Sequence, residues 1–173
     1  MQMSNETLLI IDVQKAYFTD GPYLLNHPVE TAERIKLLLD QFRKEQKPVI
    51  FIKHRFKANS EISDIVQPQD GEAIIEKSYP NSFLGTELKE YLDAHNIKKL
   101  VVVGMMSHMC VDTTVRACQN YGLDVVVIDD CCTTKAISYN GEPMDADTVH
   151  KVFMASLNGM FAKVMPLADF MKK

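Results

Sequence analysis

Four short runs of this chain are almost unbroken in apolar, largely β-branched side chains: TLLIID (7–12), PVIFIKH (48–54), KLVVVG (99–104) and DVVVID (124–129). A strand with one wet face alternates polar and apolar residues. Runs such as these are buried on both faces, as in a parallel sheet covered by helices. Two weaker runs, AIIEK (73–77) and AKVMP (162–166), bring the expected sheet to about six strands. The intervening stretches carry apolar residues at three- and four-residue spacing. In 29–46, for example, Ile35, Leu38, Leu39 and Phe42 share one face and charges take the other. Strand, helix and strand in succession imply right-handed crossovers. The pattern predicts an α/β three-layer sandwich, with a central, mostly parallel sheet flanked by helices.

No repeat, low-complexity tract or linker divides the 173 residues, so one domain over 1–173 is expected, large enough to bury a core unaided. A formal net charge of -4 disfavours a nonspecific nucleic-acid surface. The first residues carry no basic segment ahead of an apolar stretch, and no run approaches the ~20 apolar residues of a membrane helix. A cytoplasmic protein with no membrane or nucleic-acid partner is the expectation. The four cysteines, Cys110, Cys118, Cys131 and Cys132, lack the spacing of a zinc site and do not form a disulfide scaffold, which fits a reducing compartment. Adjacent Cys131 and Cys132 are read as thiols, with a vicinal disulfide as the alternative.

Ligands of parallel sheets bind beyond the carboxyl ends of the strands. Asp12, His54 and Lys77 end three of the runs, and Cys110 follows a fourth. Cys110 opens the helical pattern Val111, Val115, Cys118, which predicts a place in the first turn of a helix. There, free N–H groups and the dipole favour a thiolate. A buried, inert cysteine is the competing reading. Asp12 is a charge at the end of a buried strand and needs either a cation or a local turn bond. Lys77 either holds Asp12 ionised and lowers the thiol pKa or extends to the surface. The long connection 55–72 is either a lid or a solvated excursion.

Three segments, LLIIDVQKAYF, KSYPNSFLGTEL and VVVGMMSHMCVDTTVRAC, resemble the isochorismatase-like cysteine hydrolases, and the resemblance runs from Leu8 to about Val164. It implies a Rossmann-like topology and a catalytic triad falling on Asp12, Lys77 and Cys110. It also implies a cis peptide at Met105-Met106 that aims the Met106 N–H, with that of Cys110, at a developing oxyanion. The activity implied is hydrolysis of a small amide, ureido or carbamoyl substrate through a thioester, without a cofactor, by a dimer or tetramer. Members that cleave isochorismate resemble this pattern but lack the cysteine. Nicotinamidases carry a metal site with an Asp-x-His pair after the second strand. Here that place reads KHRFKANSEISD, so no metal is expected, and His54 instead lines the pocket or is satisfied locally. Phe18 and Phe83 are candidate pocket walls, Met105, Met106 and Met109 a candidate soft rim, and Ser107 and His108 candidate substrate contacts. Asp129 and Asp130 invite a metal reading, but the sequence places no third ligand and a strand-end turn explains them. A nicotinamidase-type amidase with an atypical metal site, or a non-catalytic binding or scaffold member of the same fold, are the alternatives. A receiver-type signalling domain would need an acidic pair after the first strand, which IIDVQ does not supply.

Overall fold

The computed structural model describes residues 6–172. In chain order the elements are β1 (Glu6–Ile11), α1 (Pro28–Lys44), β2 (Val49–His54), β3 (Ala73–Lys77), α2 (Leu88–Ala94), β4 (Lys99–Met105), α3 (Asp112–Gln119), β5 (Asp124–Thr133), β6 (Ile137–Tyr139), β7 (Glu142–Met144), α4 (Ala146–Leu157), β8 (Lys163–Met165) and α5 (Leu167–Phe170). Six strands form one sheet in the order β3-β2-β1-β4-β5-β8, and every pairing in it is parallel. All six expected strands are present. The chain winds outward from β1 through β2 to β3, then returns to β4 and winds the other way. The strand order therefore reverses between β1 and β4, and a crevice opens at the carboxyl ends of adjacent strands that diverge in this way.

Alternate residues of each strand feed two apolar layers. On one face Leu8, Ile10, Phe51, Val101 and Val103 meet the α1 residues Ile35, Leu38, Leu39 and Phe42. On the other, Leu9, Ile11, Ile50, Ile52, Leu100 and Val102 meet Leu88 and Leu92 of α2, Val115 and Cys118 of α3, and Met154 and Leu157 of α4. Fully buried strands need apolar residues at every position, which accounts for the unbroken runs. Among the described residues, no helix is long and apolar enough to cross a membrane.

Two features depart from the expected pattern. β5 runs on to Thr133, and its register with β4 shifts between Val102 and Gly104. A separate antiparallel hairpin joins β6 to β7. Its turn is Asn140-Gly141, with φ of 50° and 82°. Two successive left-handed residues make the tight turn that suits the strand twist of a hairpin, and Asn-Gly is the pair that adopts it most readily.

Candidate active site

The end of β4 lies unusually close to the end of β1. Ile11 is opposite Gly104, and a Cβ on Gly104 would stand 2.0 Å from the Ile11 carbonyl oxygen. Gly104 also has φ +126°, a conformation that L side chains rarely adopt. Glycine at this position lets the segment after β4 settle beside Asp12. The next peptide, Met105-Met106, is cis. Ser107–Val111 then form one wide π-helical turn, with the Val111 N–H bonded to the Met106 carbonyl, before α3 begins at Asp112. Cys110 thus precedes the regular helix. It lies in the opening turn of a continuous helical segment that runs directly into α3, so the helix-start position expected from the sequence is kept, with one wide π turn in place of a regular one.

Asp12 follows β1 in a left-handed conformation, φ 51°, which Asp tolerates better than most residues. Its backbone N–H bonds the Ile52 carbonyl. Lys77 ends β3 opposite His54, which ends β2. The Lys77 side chain crosses that strand end to place Nζ 2.7 Å from Asp12 Oδ2, with both side chains completely buried. Lys77 Nζ also stands 3.1 Å from His54 Nδ1. Because an ammonium only donates, Nδ1 accepts, and the neutral ring carries its proton on Nε2. Burial and the Lys77 charge both hold the His54 pKa below the ordinary imidazole value, consistent with that neutral form.

Asp12, His54 and Cys110 each offer one ligand-type atom, and these atoms lie within 4.8 Å of one another. The Lys77 ammonium stands against two of these three groups, so this place already carries a positive charge. The Asp12 carboxylate has the Lys77 ammonium on Oδ2 and the Cys110 thiol within hydrogen-bonding reach. Burial raises the Asp12 pKa against the opposing pull of Lys77, leaving a carboxylate disposed to take a proton. Burial and the neighbouring Asp12 charge push the Cys110 thiol up to about 12, with Lys77 only partly opposing them. Lys77 therefore pulls the thiol pKa down as expected, while burial and Asp12 pull it up more strongly, and the proton the sulfur must lose has a carboxylate beside it to receive it.

The other candidates fall into distinct places. Met105 has no exposed surface and belongs to the α1-side core, whereas Met106 is 8% exposed at the turn. Met109 is exposed. Ser107 is fully buried and its Oγ lies 2.7 Å from His150 Nδ1 of α4. His108 bonds Thr134 and packs edge-on to Phe153. Phe83 is buried in the α3-side core with its ring centroid 4.7 Å from that of Tyr121. Phe18 lines a cleft of about 480 Å³ with Lys15, Asn59, Asp64 and Ile65, and Asp12, Lys77 and Cys110 are not among its walls. Cys118, Cys131 and Cys132 are buried free thiols.

Several residues of the site went unread in the sequence. Gln14, fully buried, bonds the His54 carbonyl and the Ser60 carbonyl through Nε2 and receives the His54 N–H on Oε1. It clamps the end of β2 beside Asp12. A polar residue two positions after a buried strand-end carboxylate was the available signal. Phe56 gathers His54, Tyr17 and Tyr23 around it, with centroids 4.9, 5.3 and 5.6 Å away. Burial and the Asp12 charge raise the Tyr17 pKa. Thr114 of α3 accepts the Ser82 N–H and contacts the Ser82 hydroxyl, tying the segment after Lys77 to the helix after Cys110. The long connection 55–72 is strapped down: Lys15, Ala16 and Ser63 N–H groups bond Glu61, Asn59 and Val13 carbonyls, and Ile62 and Val66 are buried.

Comparison with known proteins bears on this arrangement. The family model described as the Isochorismatase domain matches residues 6–169. The chain is 38% identical to YddQ, an uncharacterized isochorismatase family protein of Bacillus subtilis, over 95% of this chain and 98% of that protein. A solved isochorismatase structure from Pseudomonas putida superposes with a TM-score of 0.91 at 32% identity, covering 98% of this chain and 91% of the other. A more distant likeness, 25% identical over 84% of this chain and 80% of the other, reaches Nicotinamidase 3 of Arabidopsis thaliana.

Proposed function

The chain belongs to the isochorismatase family, and we propose that it is a cysteine hydrolase cleaving a C–N bond of a small amide, ureido or carbamoyl compound. One observation carries this reading: a completely buried Lys77–Asp12 ion pair, 2.7 Å long, whose carboxylate lies against the Cys110 thiol. A buried charge pair costs desolvation that packed apolar side chains avoid, so its use here fits a chemical task better than a structural one.

Asp12 takes the proton of Cys110 as the sulfur attacks the substrate carbonyl, so no free thiolate accumulates ahead of the reaction. The tetrahedral oxyanion is received by the backbone N–H groups of Met106 and Cys110. Asp12 then gives its proton to the departing nitrogen, the C–N bond breaks, and a thioester remains on Cys110. Water attacks the thioester, Asp12 takes the water proton and returns it to the sulfur, and the acid product leaves. Lys77 keeps the carboxylate oriented throughout, and His54 presents its Nε2–H at the same strand end. The likeness to a nicotinamidase agrees with an amide-type substrate. Among the described residues, however, only Asp12, His54 and Cys110 form a group that could hold a metal ion, and the mechanism needs none.

The test is ammonia release from a panel of small amides, ureido acids and carbamoyl compounds, without added metal, by the native protein and by Cys110→Ala. Turnover confined to the native protein, with an acyl adduct on Cys110 by mass spectrometry, is the expected result. Turnover surviving in Cys110→Ala removes the nucleophile assignment.

A further inference from the structure

We infer that His150 of α4 is a positioning residue for the nucleophile turn, acting through Ser107; this rests on Cys110 being the nucleophile. Ser107 lies between the cis peptide and Cys110, in the single π-helical turn that carries both. Its hydroxyl is fully buried and stands 2.7 Å from His150 Nδ1. The partner lies on a different element, beyond the ends of β4 and β5. This bond and the one from His108 to Thr134 tie the turn to elements outside the Asp12–Lys77–Cys110 group, beside the contacts of Cys110 with Asp12 and Lys77.

The direction of the Ser107 bond depends on the charge of His150. A neutral imidazole protonated on Nε2 accepts the Ser107 proton at Nδ1. A doubly protonated ring must instead donate from Nδ1, which forces the Ser107 hydroxyl to turn its own proton elsewhere in a buried place. Protonation of His150 therefore reverses this bond and leaves the Ser107 proton in need of another acceptor, which alters how the turn is held. The groups around the ring are Asp129 and Asp130 of β5, His27 and Arg34 at and in α1, and Asp147 and Lys151 of α4 itself. The carboxylates favour the imidazolium, Lys151 opposes it, and burial outweighs them to hold the pKa below the ordinary value. The ring is thus neutral at neutral pH and becomes charged as the solution is acidified.

The experiment measures modification of Cys110 by 2,2′-dipyridyl disulfide across pH 5 to 8, followed on the peptide ending at Arg116 so that Cys118 does not contribute. The native protein is compared with Ser107→Ala, His150→Leu and His150→Asn, with thermal melts to establish that each is folded. His150→Leu and Ser107→Ala are expected to change the Cys110 rate by about tenfold or more, since a misplacement of about 1 Å of a reacting group costs up to about 10²-fold. His150→Asn, which keeps a polar partner at the same reach without a titrating ring, is expected to stay near the native rate at pH 7.5. It should also lose one acid-side inflection. Native rates in the Leu and Ala variants, an Asn variant as altered as Leu, or an inflection that survives in Asn would each overturn the assignment. Amide turnover is followed in parallel. His150-dependent labelling in a protein that turns over no amide would overturn the proposed substrate class alone, whereas turnover with His150-independent labelling would overturn the positioning role alone.

Discussion

Lys77, at the end of β3, reaches across the end of β2 to place Nζ 2.7 Å from Asp12 Oδ2 at the end of β1, with both side chains sealed from solvent. No neighbour in sequence prepares this pair. It exists because parallel strands in the order β3-β2-β1 end at the same edge of the sheet. Each partner alone would be an uncompensated charge in the interior.

Lys77→Met should therefore be strongly destabilising at neutral pH, by about 3–5 kcal/mol, the usual cost of stranding one member of a buried pair. Without the ammonium, the folded-state pKa of Asp12 lies further above its unfolded value. A carboxyl raised in this way contributes stability at low pH and loses it as pH rises through the folded pKa. The deficit in urea unfolding should thus shrink on acidification, and Asp12→Asn added to Lys77→Met should recover part of it. Native stability in Lys77→Met would contradict the pairing.

The Cys110 thiol, pushed up to about 12, should show no thiolate absorbance at pH values near 8.5, where an ordinary cysteine titrates. The difference in absorbance at 240 nm between the native protein and Cys110→Ala isolates this residue from the tyrosines. A half-titration at or below neutral pH would mean that the thiolate is preformed and that Asp12 need not take its proton. Replacing that base by Asp12→Asn should lower turnover by about 10²–10⁴-fold, the range that general base catalysis supplies.

Gly104→Ala should fail to fold or fold with gross loss of stability. The added Cβ would meet the Ile11 backbone at 2.0 Å, and φ +126° excludes the new side chain independently of space. Soluble yield and circular dichroism report this directly. A stable Gly104→Ala protein would mean that β1 and β4 can separate without cost.

Gln14→Leu should cost about 1–3 kcal/mol for each buried backbone group it strands. The groups concerned are the His54 N–H, which loses its acceptor, and the Ser60 carbonyl, which loses a donor, whereas the His54 carbonyl keeps the Phe56 N–H and the Ser60 hydroxyl. Chemical denaturation measures the loss. Unchanged stability would show that water replaces the amide at the end of β2.

The fold was legible because its evidence is local and repeated. Six runs of apolar residues, interrupted by amphipathic helices, admit little besides a covered parallel sheet; the four strong runs are buried on both faces, while the edge strands β3 and β8 keep residues at the surface. Asp12, Lys77 and Cys110 were legible as strand-end chemistry, and their motifs carried the family likeness. The hairpin over 137–144 was also written locally, in Asn140-Gly141, and went unread because its flanking residues alternate weakly.

Charge states and long-range partners were decided only by the tertiary structure. Sequence position suggested a thiolate at a helix start. Packing shaped that start as a π-helical turn beside a carboxylate and out of water, and these surroundings raise the thiol pKa against a cation placed nearby. Likewise, nothing local ties Ser107 to His150, Gln14 to His54 or Thr114 to Ser82. Periodicity records which side of an element is buried. The groups that meet a buried polar atom depend on how whole elements cross, and only the folded chain specifies that.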